Sequence, residues 1–423
     1  MSAKRVRVTS LSEAQRTRAA QSFATRRVPP EAMQTLLSGG LRPRSGDVVL
    51  ARVARLGHHT RVEYANGRRG NLHLGDSIMA AYADRYATDQ YESYVPRTLG
   101  RTSLVASGGI ASQVKSRSAA VRAATEIVPL GLIGDERGRP LNLADFGLPR
   151  IDPVSVARPR SIAVFGTAMN AGKTTTIHHL LHGLARAGAL PGATKITGTG
   201  SGHDYWVMLD AGAHRMLDFT DVGLASTFGQ PIERLEDAAE QLVAHLARDG
   251  CGVIFVEIAD GVYQRENQHL IRSPRIHALI DTVVFAASDA MGAVNGVDNL
   301  RRAGFNVAAV AGTLTRSPLA IRETQDVLGL PVLRLDELED PRIIAPILEI
   351  DTSCLELPTE EEASWQIVVP GLVGEDGQIF DDHNDMEAPL VSATAVPSAA
   401  FPAHVVSMAG TDDKYSDALL GGA

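Results

Sequence analysis

The sequence predicts an α/β protein in which a parallel-sheet domain follows a small β-rich, barrel-like domain. Three observations carry this. Apolar β-type runs alternate with helical segments over residues 160–350, the pattern of a parallel sheet covered on both faces. Residues 46–148 hold short alternating runs and an Asn66-Gly67 turn instead, the texture of antiparallel strands. A linker marked by Pro149, Pro153 and Pro159 stands between the two, over residues 149–159.

Taken in chain order, residues 1–45 read as a basic helical lead-in, with helices expected over Ser12–Phe23 and Pro30–Leu37. In the β-rich part, strands are expected at Asp47–Val53, in a hairpin over Thr60–Leu74, and at Ser77–Ala83, Thr102–Ala106 and Ala124–Leu130. Tyr82, Tyr86, Tyr91 and Tyr94 cluster there, either as packed rings or as a binding lip. In the α/β part, strands are expected at Ser161–Phe165, Ala193–Ile196, Gly252–Ile258, Thr282–Ala287, Asn306–Val310 and Pro331–Leu333. Helices are expected at Gly172–Ala187, Leu235–Asp249, Gly292–Ala303 and Ala320–Leu328. Residues 351–423 read as an acidic, largely flexible tail rich in Ala, Ser, Pro and Gly.

Bulk composition narrows the function classes. A net charge of −8 over 423 residues argues against a general nucleic-acid binder, which needs a surplus of Lys and Arg on one face. Two cysteines, Cys251 and Cys354, give neither a disulfide framework nor a thiolate zinc site. No apolar run reaches the ~20 residues of a membrane span, and none follows the charged N-terminus as in a signal peptide. A cytoplasmic protein is the expectation.

The chemistry concentrates where the first α/β strand meets its helix. Ser161-Ile-Ala-Val-Phe runs into Gly166-Thr167-Ala168-Met169-Asn170-Ala171-Gly172-Lys173-Thr174-Thr175. Glycines permit the tight turn, successive backbone N–H groups form a nest for phosphate oxygens, and the positive end of the helix adds to it. This is a phosphate-binding loop, with five residues between its glycines instead of the usual four, and it predicts a P-loop NTPase domain. Lys173 is expected to reach the β/γ-phosphates and the Thr174 hydroxyl to bind magnesium. An acid at the end of the apolar run Val253–Val256, either Glu257 or Asp260, is placed for a further magnesium contact.

Several other residues are candidates by position. Lys195 ends the second strand, and Gly198–Gly202, His203 and Asp204 read as a flexible substrate loop able to fold over the terminal phosphate. Arg265 could clamp a transferring phosphoryl group or a carboxylate. Arg316 follows the fifth strand, where a nucleotide base would sit. His178 and His182 share a helix face, but without the Glu of a zinc-protease motif they read as surface or packing residues.

These motifs together resemble dethiobiotin synthetase and its relatives, over about residues 160–335. The Gly166-Thr167 start, the Lys195 that ends the second strand, the Val256-Glu257 pair and the Ala287–Gly296 loop carry the likeness. Asp204–Ala213 is similar to a stretch of the MobB-type molybdopterin-guanine-dinucleotide accessory proteins. Asp218-Phe219 is similar to a pair in a P-loop family that includes D-glutamate N-acetyltransferase. The resemblance implies phosphate and magnesium contacts from Lys173 and Thr174, metal ligands at Asp204 and Glu257, and a substrate or phosphate contact from Lys195. It also implies a possible homodimer. ParA- and MinD-like ATPases carry a signature Lys where this chain has Ala168, which disfavours a partitioning ATPase.

Three functions follow as expectations. The first is a Mg-ATP-dependent enzyme activating a small carboxylate or amine by phosphoryl transfer, with GTP as the other nucleotide. The second is a CoA-dependent N-acyltransferase. The third is a nucleotide-switched accessory protein of MobB type. The partners expected are a nucleotide and a small-molecule substrate.

Overall fold

A computed structural model describes residues 5–353 and 355–357. The tail after residue 357, including Trp365–Gly374, lies outside the described residues, as does Cys354.

Twelve strands precede the linker: β1 (Arg7–Ser10), β2 (Ala20–Gln21), β3 (Thr35–Ser38), β4 (Val48–Arg55), β5 (Arg61–Glu63), β6 (Arg69–Asn71), β7 (Ser77–Tyr82), β8 (Arg85–Tyr86), β9 (Tyr91–Tyr94), β10 (Thr102–Ala106), β11 (Ile110–Arg117) and β12 (Thr125–Gly134). Pairing runs from β4 to β7, β7 to β11, β11 to β10, β10 to β12, and β12 back to β4. Five strands thus close a ring, which satisfies edges that an open sheet would leave exposed. Val49, Ala51, Val53, Ile78, Ala80, Leu104 and Ile127 pack in one core on this sheet. β5 and β6 form the hairpin around Asn66-Gly67, with Gly67 at φ +86°.

The lead-in differs from the helical expectation. It has one six-residue helix, α1 (Glu13–Arg18), and its strands β1 and β3 extend the barrel sheet through pairing of β3 with β12. Pro30–Leu37 is a short 3-10 turn, Pro30–Ala32, followed by strand β3. Tertiary pairing outweighs the helix propensity of the alanines here.

After the linker, six strands make one parallel sheet: β13 (Arg160–Gly166), β14 (Pro191–Lys195), β15 (Arg215–Asp218), β16 (Val253–Glu257), β17 (Thr282–Ala286) and β18 (Val307–Ala311), in the order β15-β14-β16-β13-β17-β18. Apolar clusters cover both faces, which is why these strands read as continuous apolar runs. The helices are α2 (Lys173–Arg186), α3 (Gly202–Asp210), α4 (Ile232–Arg248), α5 (Arg265–Leu270), α6 (Pro274–Leu279), α7 (Ala290–Arg302), α8 (Pro318–Leu328), α9 (Leu335–Leu338) and α10 (Pro341–Leu348). Pro331–Leu333 forms a single bridge, Val310 to Val332, in place of the expected strand. The protein is therefore a parallel-sheet α/β domain with a β-rich domain before it.

The strand order places the site. β13 lies between β16 and β17, and the chain leaves it toward β14 on one side and later returns to β17 on the other. Open parallel sheets bind ligands at the carboxyl ends of strands where the winding reverses in this way. Among the described residues, no helix is long and apolar enough to cross a membrane.

Candidate functional site

The loop between β13 and α2 wraps the carboxyl end of the central strand. Gly172 stands at φ +97° as the residue before the helix, and its Cα side lies against Gly312. A side chain there would meet backbone 3.1 Å away in a conformation L-residues avoid. Thr313 N donates to Ala171 O at 3.0 Å, so the turn after β18 braces the loop. On the other flank, Val262 N donates to Gly166 O at 3.2 Å. Gly261 lies so near that an added Cβ would come 2.3 Å from Thr167 O.

Five of the expected side chains gather here. Lys173 is 3% exposed, and its Nζ donates to Ala168 O at 2.6 Å, curling back on its own loop. Thr174 Oγ1 donates toward Glu257, 3.2 Å from Oε2 and 3.3 Å from Oε1. Glu257 is 1% exposed and takes Lys195 Nζ at 3.0 Å on Oε1. Lys195 also bonds Asp204. The site is thus a largely buried polar chain from Thr174 through Glu257 and Lys195 to Asp204, its last three members alternating in charge.

Burial and charge set the protonation of these groups. Burial lowers the Lys173 ammonium to about 8, with Lys195 adding to the effect and Glu257 opposing it. Burial works against the Lys195 charge too, but Asp204 and Glu257 more than reverse it and its pKa is raised. Burial would raise Asp204; Lys195 outweighs it and holds the carboxyl below its ordinary value. Burial raises Asp260, against the pull of Lys173, Lys195 and Arg85. Asp260 also sits at φ +61° without being glycine. Buried Asn267 grips that turn through Ala259 O at 2.7 Å and Gly261 O at 3.0 Å, the kind of over-determination that lets such a residue persist.

The remaining candidates fall elsewhere. Asp204 and His203 are on the first turn of α3, not in a flexible loop. His203 and Arg265 point into solvent, Arg265 as the first residue of α5. Arg316 is exposed at the end of the 3-10 turn after β18. Thr167 Oγ1 is buried with no hydrogen-bond partner, while Asn170 Nδ2 reaches Asp89 of the β-rich domain at 2.8 Å. Thr175 is exposed on α2. His179 Nδ1 lies 2.6 Å from Glu339, in line with a packing role.

Asp204 is positioned from the other domain. Glu63, on β5, accepts from Gly202 N at 2.6 Å and Ser201 Oγ at 3.2 Å, while Arg69 holds its other oxygen at 3.0 Å. A carboxylate at the start of α3 meets orphan N–H groups and the positive end of the helix. Sequence reading missed this because the cap lies 139 positions from the residue it caps. Glu63→Ala is expected to lower stability by about 1–2 kcal/mol, read as a urea midpoint shift. An unchanged midpoint would show that the cap contributes nothing.

Arg26 makes a second tie. Its guanidinium lies 2.7 Å from Asp221 and 3.5 Å from Asp218, and stacks 4.0 Å over Phe23. Asp218 is thus committed to holding the lead-in, while Phe219 packs in the α/β core. A cavity of about 180 Å³ opens beside the loop, lined by Tyr86 and Thr88 of the β-rich domain, Thr167–Met169, and Asp260–Gln264 except Val262.

No protein-family model matches the chain, and no curated protein matches it. Among solved structures it is similar to a DUF1611 family protein from Anabaena variabilis, at 14% identity over 53% of this chain and 65% of that one, TM-score 0.35. It is also similar to the Signal Recognition Particle 54 kDa protein of Aeropyrum pernix in complex with GDP, at 19% identity over 49% and 50%, TM-score 0.31. A third is the kinase domain of Escherichia coli tyrosine kinase ETK, at 14% identity over 36% and 66%, TM-score 0.29. The chain spans less than two thirds of the length of each of these structures.

Proposed function

We propose that the protein binds a nucleoside triphosphate at Gly166–Thr175 and activates a small carboxylate or amine by phosphoryl transfer, in the manner of dethiobiotin synthetase. The observation that carries this is the convergence of Lys173, Thr174, Lys195 and Glu257 beside a small cavity. In the bound state the loop amides and Lys173 take the phosphates, Lys173 exchanging Ala168 O for a phosphate oxygen. Thr174 Oγ1 and Glu257 present hard oxygen donors 3.2 Å apart, a set that fits magnesium, which takes one or two carboxylates and completes its shell with phosphate and water. No cluster of three or more His, Cys, Asp or Glu gathers as a metal site among the described residues, and magnesium in such sites needs none. The ion would neutralise charge on the phosphates.

Lys195, pinned by two carboxylates, is a fixed cation facing the space where the transferred group would pass. A carboxylate oxygen of the substrate attacks the γ-phosphorus, the bond to the β,γ-bridging oxygen breaks, and the diphosphate leaves with that electron pair. Positioning and charge neutralisation supply most of such a rate gain. Asp260 lines the cavity with a raised pKa, as a proton acceptor for an amine substrate would.

A second reading, a nucleotide-driven accessory protein of MobB type, draws on the grip of the β-rich domain on the loop (Asn170–Asp89) and on α3 (Glu63–Gly202). Turnover of MgATP and MgGTP, with and without small carboxylates and amines, separates the two. Stimulation by a small substrate supports the enzyme. Binding without any stimulated turnover favours the accessory role, and thermal protection by acetyl-CoA alone removes both.

A further inference from the structure

The β-rich domain holds a buried arginine with no ion-pair partner among the described residues. Arg85, on β8, is 7% exposed, and neither Nε nor Nη1 has a hydrogen-bond partner. Among the described residues no carboxylate lies within salt-bridge distance of it, although buried arginines in folded proteins are normally paired. Aromatic and imidazole rings pack nearest to it, and Asp260 acts on it only at longer range. Its guanidinium sits 6.0 Å from the Tyr91 ring, which packs against His58 and His59 at 6.1 and 5.9 Å. His59 has the Gln90 side chain as its polar neighbour. Burial, opposed only by Tyr91 and Asp260, pulls the guanidinium down to about 10. Arg85 and His58 in turn depress His59 after burial has done so.

An unsatisfied buried donor is costly, more so when charged, so a polar set of this kind persists where a ligand completes it. The position is specific. Tyr86 and Thr88, which follow Arg85 in the chain, line the cavity beside the phosphate loop; Asp260, the residue whose charge Arg85 feels, lines it too, and Arg85 itself is buried just outside that lining. The turn that carries Arg85 also reaches the loop directly, through Asp89 and Asn170.

We propose that Arg85 is the anchor for the carboxylate of the acceptor substrate, holding it at the β-rich domain so that the rest of the molecule lies in the cavity between Tyr86 and Thr167. This rests on the reading of the cavity as the acceptor pocket. A guanidinium suits a carboxylate because its planar donors match the planar acceptor. A cavity of about 180 Å³ suits a small acceptor molecule.

The test uses the full chain and measures thermal unfolding in sodium acetate, succinate, glutamate and phosphate at matched ionic strength. A ligand that binds only the folded state raises the midpoint with its concentration. The expected result is a rise with at least one carboxylate, larger than with phosphate, and at least tenfold more ligand needed for the same rise in Arg85→Met. Arg85→Met should itself be no less stable than the wild type, since it removes a buried charge; Arg85→Lys serves if that variant does not fold, with the same loss expected. No carboxylate-dependent rise, a rise equal to that with phosphate, or an equal rise in the variants overturns the proposal. Nucleotide titration of the wild type without carboxylate tests the parent reading separately. Failure there alone leaves the carboxylate anchor standing.

Discussion

Lys173→Ala is expected to lower nucleotide affinity by about 10–100-fold and turnover by about 100–1000-fold, while the nucleotide-free protein becomes more stable at pH 7. The two halves have one cause. Lys173 is buried, and its ammonium is held there at a cost visible in a pKa near 8 instead of 10.5. At pH 7 both folded and unfolded chains carry the proton, and the folded chain bears the desolvation, a penalty on the order of 3 kcal/mol at most. Between about pH 8 and 10.5 the unfolded chain binds more protons than the folded one, so stability rises with pH through that window. The alanine variant lacks this rise. Urea unfolding at pH 7 and at pH 9.5 reads both effects, and equal slopes with pH in the two proteins would remove Lys173 as their origin. Unchanged turnover would remove the loop from the chemistry.

The second large effect belongs to Lys195. It alone stands between Asp204 and Glu257, at 3.0 Å from the latter, and all three are buried or nearly so. Lys195→Met leaves two carboxylates facing one another in a largely buried site. Removing one member of a buried charge set costs about 3–5 kcal/mol, and this loss should appear as a lowered urea midpoint at pH 7. Because the Lys195 pKa is raised, its stabilisation is complete below the ordinary lysine value and fades as the pH climbs past it. The variant should therefore converge on the wild type only in strong alkali. Millimolar magnesium should restore part of the variant's stability, since the freed acids and Thr174 then offer it oxygen donors; a midpoint shift below about 1 kcal/mol, with or without magnesium, would show that the chain of charges is not cooperative.

Much of this was readable from the residues. The loop announces itself because an apolar strand, a glycine turn and Gly172-Lys173-Thr174 stand in one run, and Glu257 because it ends a run that is otherwise apolar. Lys195 follows the same logic at the end of β14. What escaped is what depends on distant partners. Gly202-His203-Asp204 reads as a loop, since its helix is started by Glu63 from another domain. β15 is four residues long and leaves no period to detect. β1 and β3 gain strand character only from pairing with β12, far along the chain. Arg85 stands in a run of alternating character where a charged residue signals a solvated face, and burial behind Tyr91 is a property of the barrel alone.

Gly67 at the tip of the β5–β6 hairpin comes so near the indole of Trp206 that an added Cβ would lie 2.8 Å from it. Trp206 is two residues beyond Asp204, on the same helix turn, and its Nε1 is buried with no partner. One of only two tryptophans in the chain is therefore a natural optical label on the joint between the two domains. A blue-to-red change in its emission would report α3 leaving the hairpin in real time, without any dye.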